Sequence, residues 1–198
     1  MIAESLDLET REFISASLQS GGDYFEWGCG ASTVFAATRA QQQIVSVEND
    51  PLWCELVKSE LNRQTEITAK RVKFELINLG PVKKWGYPES LVTKSQSESY
   101  YQLPFKRFQL NRDTKNRCTI LVDGRFRKSC ALTVFLEGNM DFSLVIDDAC
   151  NRPHLMEFAE IIGGGWITVG RSLVWQSPTF SNRELLVNLQ DVFAQDQR

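Results

Sequence analysis

Two short apolar runs, Tyr24-Phe25-Glu26-Trp27 and Ile44-Val45-Ser46-Val47, constrain this chain most. The first breaks into Gly28-Cys29-Gly30 and then into helix formers from Ser32 to Ala40. The second ends at Glu48 and leads through Asn49-Asp50-Pro51 into a helix reaching about Leu61. Asp50 and Pro51 suit the start of a helix, as a cap and as a first-turn residue lacking an N–H. A strand followed by a helix re-enters its sheet through a right-handed crossover, which makes consecutive strands parallel. A third strand over about Val72 to Leu79 continues the pattern, and an entry helix from about Asp7 to Leu18 precedes it. The first half is therefore expected to be a doubly wound α/β layer.

The alternation lapses between Gly80 and Arg117, where Lys, Ser and Gln dominate around Trp85-Gly86-Tyr87-Pro88 and Tyr100, Tyr101, Phe105 and Phe108. A connection of that length suggests a lid or insertion over 80–117, with a surface helix around Ser95 to Leu103. Regularity returns with Thr119 to Val122, Asp123-Gly124, a helix from Arg127 to Leu136, a strand from Ser143 to Ile146 and Asp147-Asp148. A helix from Pro153 to Ile162 follows. Trp166 to Val169 and Leu173 to Gln176 then flank Gly170-Arg171, a spacing for a hairpin, and a helix from Asn182 to Ala194 closes the chain. The sheet should thus be mostly parallel with an antiparallel C-terminal strand.

At 198 residues the chain can bury one sizeable core, so a single domain spanning 1–198 is expected. A net charge of −3 argues against nucleic acid as a partner. The five cysteines, Cys29, Cys54, Cys118, Cys130 and Cys150, contain no CxxC pair and suit buried thiols in a reducing compartment. The opening MIAESLDLET lacks a basic-then-apolar segment, and no run of about 18 apolar residues follows. A cytoplasmic protein with no membrane contact is the expectation.

In an open α/β sheet the ligand sits beyond the carboxyl ends of the strands, where strand order reverses. There the run Glu26-Trp27-Gly28-Cys29-Gly30-Ala31-Ser32-Thr33 lacks Cβ atoms at 28 and 30, and the next helix offers free N–H groups. Glu48, closing the second strand, is placed to accept hydrogen bonds from ribose hydroxyls. A dinucleotide fingerprint would carry glycine at Thr33, which weakens a nicotinamide reading. Glu26 suits an ammonium group better than a pyrophosphate.

The segments EWGCGAST, VSVEND, VDGRF and VIDDA resemble those of class I S-adenosylmethionine-dependent methyltransferases, in particular a group of small bacterial methyltransferase-like proteins. The resemblance covers nearly the whole chain. It implies a Rossmann-like, seven-stranded sheet with S-adenosylmethionine held by Glu26, Gly28, Cys29, Gly30, Ser32, Glu48, Asn49 and Asp123. Ser32 replaces the third glycine of the family's first motif, and Asn78 or Leu79 stands where adenine is contacted. VDGRF and VIDDA also look like the paired acids of cation-dependent O-methyltransferases, which would make Asp123, Asp147 and Asp148 ligands of a divalent cation. Arg125 stands where that family keeps another acid, and a metal is not favoured.

Proton removal from an acceptor oxygen or nitrogen points to Asp147, Asp148 and the sole histidine, His154, as candidate catalytic groups. The cationic run Lys106, Arg107, Arg112, Lys115, Arg117, Arg125, Arg127 and Lys128 suggests a small anionic acceptor bound by Arg125 and Arg127. Trp85, Tyr87, Tyr100 and Tyr101 could cover a sulfonium. The expected activity is methyl transfer to oxygen or nitrogen of a small molecule. A methyltransferase-like domain that binds or regulates without turnover is the alternative, followed by a nicotinamide-dependent oxidoreductase.

Overall fold

The computed structural model describes residues 2, 6–64, 70–110, 118–138, 141–176 and 182–197. Strands β1 (Asp23–Trp27), β2 (Ile44–Glu48), β3 (Val72–Leu76), β4 (Cys118–Val122), β5 (Phe142–Ile146), β6 (Trp166–Val169) and β7 (Ser172–Trp175) form one sheet in the order β3-β2-β1-β4-β5-β7-β6. The pairings from β3 to β5 are parallel, and β7 runs antiparallel to both β5 and β6. Strands β1, β2, β4 and β5 are buried along their whole length, which is why they appear as continuous apolar runs rather than alternating ones. Trp27 aligns with Val47 on one side and Val122 on the other, bringing three strand ends level. Chain order reverses at β1, whose neighbours are β2 and β4.

Eight helices flank the sheet: α1 (Leu8–Gln19), α2 (Ala31–Ala37), α3 (Pro51–Gln64), α4 (Lys94–Tyr101), α5 (Leu103–Leu110), α6 (Arg127–Glu137), α7 (Pro153–Ile162) and α8 (Arg183–Phe193) among the described residues. Side chains along a strand alternate between faces. Phe25 and Trp27 accordingly join the core with α4 to α8, whereas Tyr24 packs with Ile14, Val34 and Leu61 of α1 to α3. Glu26 shares the Tyr24 face and is fully buried there. Helix α2 ends at Ala37, short of the expected Ala40, because the Arg71 guanidinium donates to the carbonyls of Ala37 and Ala40 and satisfies the helix end.

Between Gly80 and Leu110 the chain is more ordered than its composition suggests. Thr93 and Gln96 form a reciprocal cap that starts α4, and Trp27 Nε1 donates to the Tyr100 carbonyl at 3.1 Å. Tyr100, Tyr101, Phe105 and Phe108 are buried, with the Phe105 ring edge-on to Phe25 at 5.2 Å. These aromatics cover the sheet as core. Arg112, Lys115 and Arg117 of the cationic run lie outside the described residues, and no described helix is long and apolar enough to cross a membrane.

The β6–β7 hairpin turns at Gly170-Arg171, as its spacing requires. Its tip rests on the start of α1, where Asp7 Oδ1 accepts from the Thr10 N–H at 3.0 Å and Oδ2 accepts from the Arg171 N–H at 3.3 Å. Thr10 Oγ1 and Ser172 Oγ share a further hydrogen bond of 2.9 Å. Burial opposes ionisation of Asp7, but the hydrogen bonds from Thr10 and Arg171 outweigh it and lower its pKa.

Candidate functional site

A cavity of about 650 Å³ opens beyond the carboxyl ends of β1, β2, β4 and β5, at the reversal of strand order. That volume lies in the range of small-molecule sites, roughly 300–1,000 Å³. Its floor is the contact between two turns. The Gly28 N–H donates to Val47 O at 2.8 Å, and the Asp123 N–H donates to Trp27 O at 2.9 Å. Gly28 has φ +95°, and a Cβ there would stand 2.7 Å from the Gly124 nitrogen. Gly28 is therefore demanded by packing between β1 and β4. Gly30 is different: its backbone is extended, and a Cβ would meet only Trp53 at 4.0 Å, beside the cavity that both residues line.

Glu48 lies on the cavity wall at the end of β2 and is 6 % exposed. Its Oε1 accepts from the N–H groups of Asn49 (2.7 Å) and Asp50 (2.9 Å), which fills that oxygen, while Oε2 accepts from Cys29 N–H at 3.1 Å and the Cys29 thiol also hydrogen-bonds the carboxylate. Burial raises the Glu48 pKa despite these four bonds. Asn49 Nδ2 donates to Gly86 O at 2.8 Å and anchors the Trp85–Tyr87 turn over the site. Cys29 also accepts from Trp53 Nε1 at 2.6 Å through its carbonyl, and its thiol is hydrogen-bonded to Cys54.

Glu26 stands beneath the loop, outside the cavity lining. Its Oε1 accepts from Ser46 Oγ at 2.7 Å and from Thr33 Oγ1, and its Oε2 accepts from Ser32 Oγ at 2.8 Å and Tyr24 Oη at 2.9 Å. Four hydroxyls saturate it, so it orders the glycine loop from below and has no acceptor capacity left for an ammonium group. Ser32, in the place of a third glycine, supplies one of those hydroxyls. Burial, partly offset by the hydroxyls, pushes the Glu26 pKa up to about 7 from 4.5. The folded state thus holds a proton that the unfolded chain has released. This contribution to stability is full below about pH 4.5 and is lost as pH rises through about 7. Urea titrations of Glu26→Gln from pH 4.5 to 8 should show a flatter pH dependence and a relative gain of up to about 3 kcal/mol at pH 8. An unchanged slope would reassign the proton.

Asp123, Asp147 and Asp148 are each engaged by an arginine. Asp123 Oδ1 accepts from Arg127 Nη2 at 2.7 Å, and Asp147 takes Arg171 Nε and Nη2 at 3.2 and 2.7 Å. Asp148 Oδ2 takes Arg152 Nε and Nη2 at 3.1 and 2.8 Å. Burial drives the Asp123 pKa up to about 6 against the opposing charge of Arg127. Burial also opposes ionisation of Asp148, yet hydrogen bonds from Asn151 and Arg152 leave its pKa lowered. Asp123, Asp147 and Asp148 all border the cavity, whereas His154, half-buried in the first turn of α7, is not part of its lining. The three aspartates do not fit a divalent cation, because each is paired with an arginine whose guanidinium would compete with the ion. Among the described residues no three His, Cys, Asp or Glu side chains group as metal ligands.

Arg127 is spent on the protein: Nε donates to Gly124 O, Nη1 to Asp147 O and Nη2 to Asp123 O, at 3.1, 2.6 and 2.9 Å. Arg125 lines the cavity with its guanidinium carbon 3.9 Å from the Tyr87 ring centroid. Among the described residues, Trp85, Phe126 and Asp148 are the non-glycine residues with positive φ, at 67°, 54° and 53°. Trp85 and Asp148 border the cavity and Phe126 follows Arg125, a concentration of backbone strain of the kind found at ligand sites.

No family model matches the chain, and no curated protein matches it by sequence. Solved structures do. A methyltransferase-like protein from Silicibacter pomeroyi superposes with a TM-score of 0.82 at 23 % identity, over 98 % of this chain and 98 % of that one. The chain has the class I methyltransferase fold. The O-methyltransferase TomG from Streptomyces achromogenes, solved with S-adenosylmethionine, gives 0.54 at 15 % identity over 87 % and 82 %. Precorrin-6y C5,15-methyltransferase from Geobacter metallireducens gives 0.52 at 14 % over 89 % and 93 %.

Within this methyltransferase fold, the cavity gathers Gly28, Cys29, Gly30, Ser32, Glu48, Asn49, Asp123 and Arg125 from the sequence expectation, and also Arg127, Asp147 and Asp148. It leaves out Glu26, His154, Asn78 and Leu79. Tyr100 and Tyr101 belong to the core, while Trp85 and Tyr87 reach the site. Trp53, Arg152 and Arg171 also line it, and sequence reasoning did not single them out. For Arg171 the available signal was its place in a hairpin turn at the end of the sheet that holds the strand-end acids.

Proposed function

We propose that this chain is an S-adenosylmethionine-dependent methyltransferase acting on a small, anionic acceptor in the cytoplasm. The observation that carries the reading is Glu48: a carboxylate at the end of β2, on the wall of a cavity at the strand reversal, beside the Cys29-Gly30 turn. Ribose hydroxyls are the donors suited to it. Gly30 leaves the adjoining surface open for close approach, and Asp123, when ionised, offers a carboxylate to an ammonium group from the β4 side. When bound, S-adenosylmethionine supplies an electrophilic methyl group on a positively charged sulfur. The chain contributes alignment, which alone accounts for several orders of magnitude in reactions of this kind. Asp147 and Asp148, held by Arg171 and Arg152, act in this reading as fixed charges that orient the acceptor. Burial raises the Asp123 pKa to about 6, into the range where a carboxylate can take up a proton near neutral pH.

The specific observation behind a second reading, binding without turnover, is that the acids on the β5 side are all committed to arginines. Formation of S-adenosylhomocysteine with any acceptor separates the two. Calorimetric titration with S-adenosylmethionine, S-adenosylhomocysteine and NADH tests the cofactor class, and tight binding of NADH alone would overturn the proposal. Glu48→Ala should weaken S-adenosylhomocysteine binding by about 1.5–3 kcal/mol, the scale of hydrogen bonds to a charged group. Unchanged affinity would assign the sugar to another residue.

A further inference from the structure

Arg125, Arg127, Arg152 and Arg171 all line the cavity, but their circumstances differ. The last three are each paired with an aspartate: Arg127 with Asp123, Arg152 with Asp148 and Arg171 with Asp147, all at 2.7–2.8 Å. Arg125 has no carboxylate partner among the described residues. It is only 6 % exposed, and its buried Nη1 finds no acceptor. The other acids on the wall are committed elsewhere: Glu48 to three backbone N–H groups, and Asp50 to the N–H groups of Leu52 and Trp53 at the start of α3. A buried cation without a counter-charge is costly, and stacking on the Tyr87 ring together with a hydrogen bond to its hydroxyl compensates only in part. The unmet demand is for an anion.

Its position indicates which anion. Strand order places β2, with Glu48, on one side of β1, and β4, which leads into Gly124 and Arg125, on the other. With the nucleoside on the Glu48 side, Arg125 follows β4, the strand between β1 and β5, and lines the same cavity as Asp147 and Asp148 at the end of β5. Burial resists ionisation of the Tyr87 hydroxyl, yet the charge of Arg125 lowers its pKa, so the positive field there is felt by a neighbour.

We propose that Arg125, the one arginine on the wall without a protein carboxylate among the described residues, recognises a carboxylate or phosphate carried by the methyl acceptor. This rests on the methyltransferase reading of the site, and it names Arg125, rather than Arg127, as the acceptor's charge partner. The competing source of an oxyanion is the carboxylate of the cofactor itself.

The test uses calorimetry on the full chain saturated with S-adenosylhomocysteine, titrated with inorganic phosphate and with benzoate. At least one should bind, and Arg125→Gln should weaken it about tenfold or more while S-adenosylhomocysteine affinity stays within about twofold. Arg125→Lys, which keeps the charge but not the fork, should fall between, and it carries the measurement if the glutamine variant does not fold. Absence of binding of both anions to the wild type, or equal affinity in the variants, would overturn the proposal. So would a loss of S-adenosylhomocysteine affinity with methylthioadenosine affinity preserved, which would assign Arg125 to the cofactor's carboxylate. Should S-adenosylhomocysteine not bind the wild type, the cofactor reading fails by itself, and anion titration of the free protein still decides the role of Arg125.

Discussion

Gly28→Val is expected to destabilise the fold by about 3–5 kcal/mol, whereas Gly30→Ala, two residues on, costs no more than about 1 kcal/mol. Two effects add at Gly28. A β-branched residue is strained at φ +95°, and its Cβ would lie within 2.9 Å of the Gly124 nitrogen and Cα and the Asp123 carbonyl carbon. All three are backbone atoms, fixed by hydrogen bonds between the strand ends, so no rotamer change relieves the clash. At Gly30 the backbone is extended and the space open. Urea denaturation of both variants checks the contrast. Equal midpoints would show that the two turns are not packed as described.

Arg127→Ala is expected to cost about 3–5 kcal/mol, the scale for breaking a buried ion pair from one side. The loss has two parts. Three carbonyls, of Gly124, Asp147 and Asp123, lose their donors, and the half-buried Asp123 carboxylate is left without its counter-charge. Lysine would not restore them, since one ammonium group cannot span acceptors at the ends of both β4 and β5. Urea midpoints of wild type, Arg127→Ala and Arg127→Lys measure this directly, and a lysine variant as stable as wild type would refute the bridging role.

The order and type of the buried elements were legible because the fully enclosed strands are short apolar runs and each breaks at a glycine or an acid. The hairpin at Gly170-Arg171 and the position of Glu48 at the end of β2 followed from the same local signals. Helices α4 and α5 were only half visible. Lys94-Ser95-Gln96-Ser97 is polar in composition, and its commitment to helix comes from the Thr93–Gln96 cap and from aromatic residues that find partners on β1.

Within the site, what could not be read was pairing through space. Glu26 looked like a ligand group because it precedes Gly28, yet its partner Ser46 is twenty residues away on β2 and points a hydroxyl at it across the sheet. Likewise Asp147 looked like a candidate base until the fold brought Arg171 against it from the hairpin. Strand-end acids are visible in a sequence, but whether an arginine quenches them depends on which distant turn folds back over them.

That hairpin gives the first helix an unexpected reach. Asp7 steadies both the opening turn of α1 and the Arg171 backbone, and the same arginine's side chain grips Asp147 in the wall of the ligand chamber. A disturbance at the front of the polypeptide would therefore be conveyed, through one residue shared by a cap and a clamp, to the far bank of the pocket where an acceptor would dock.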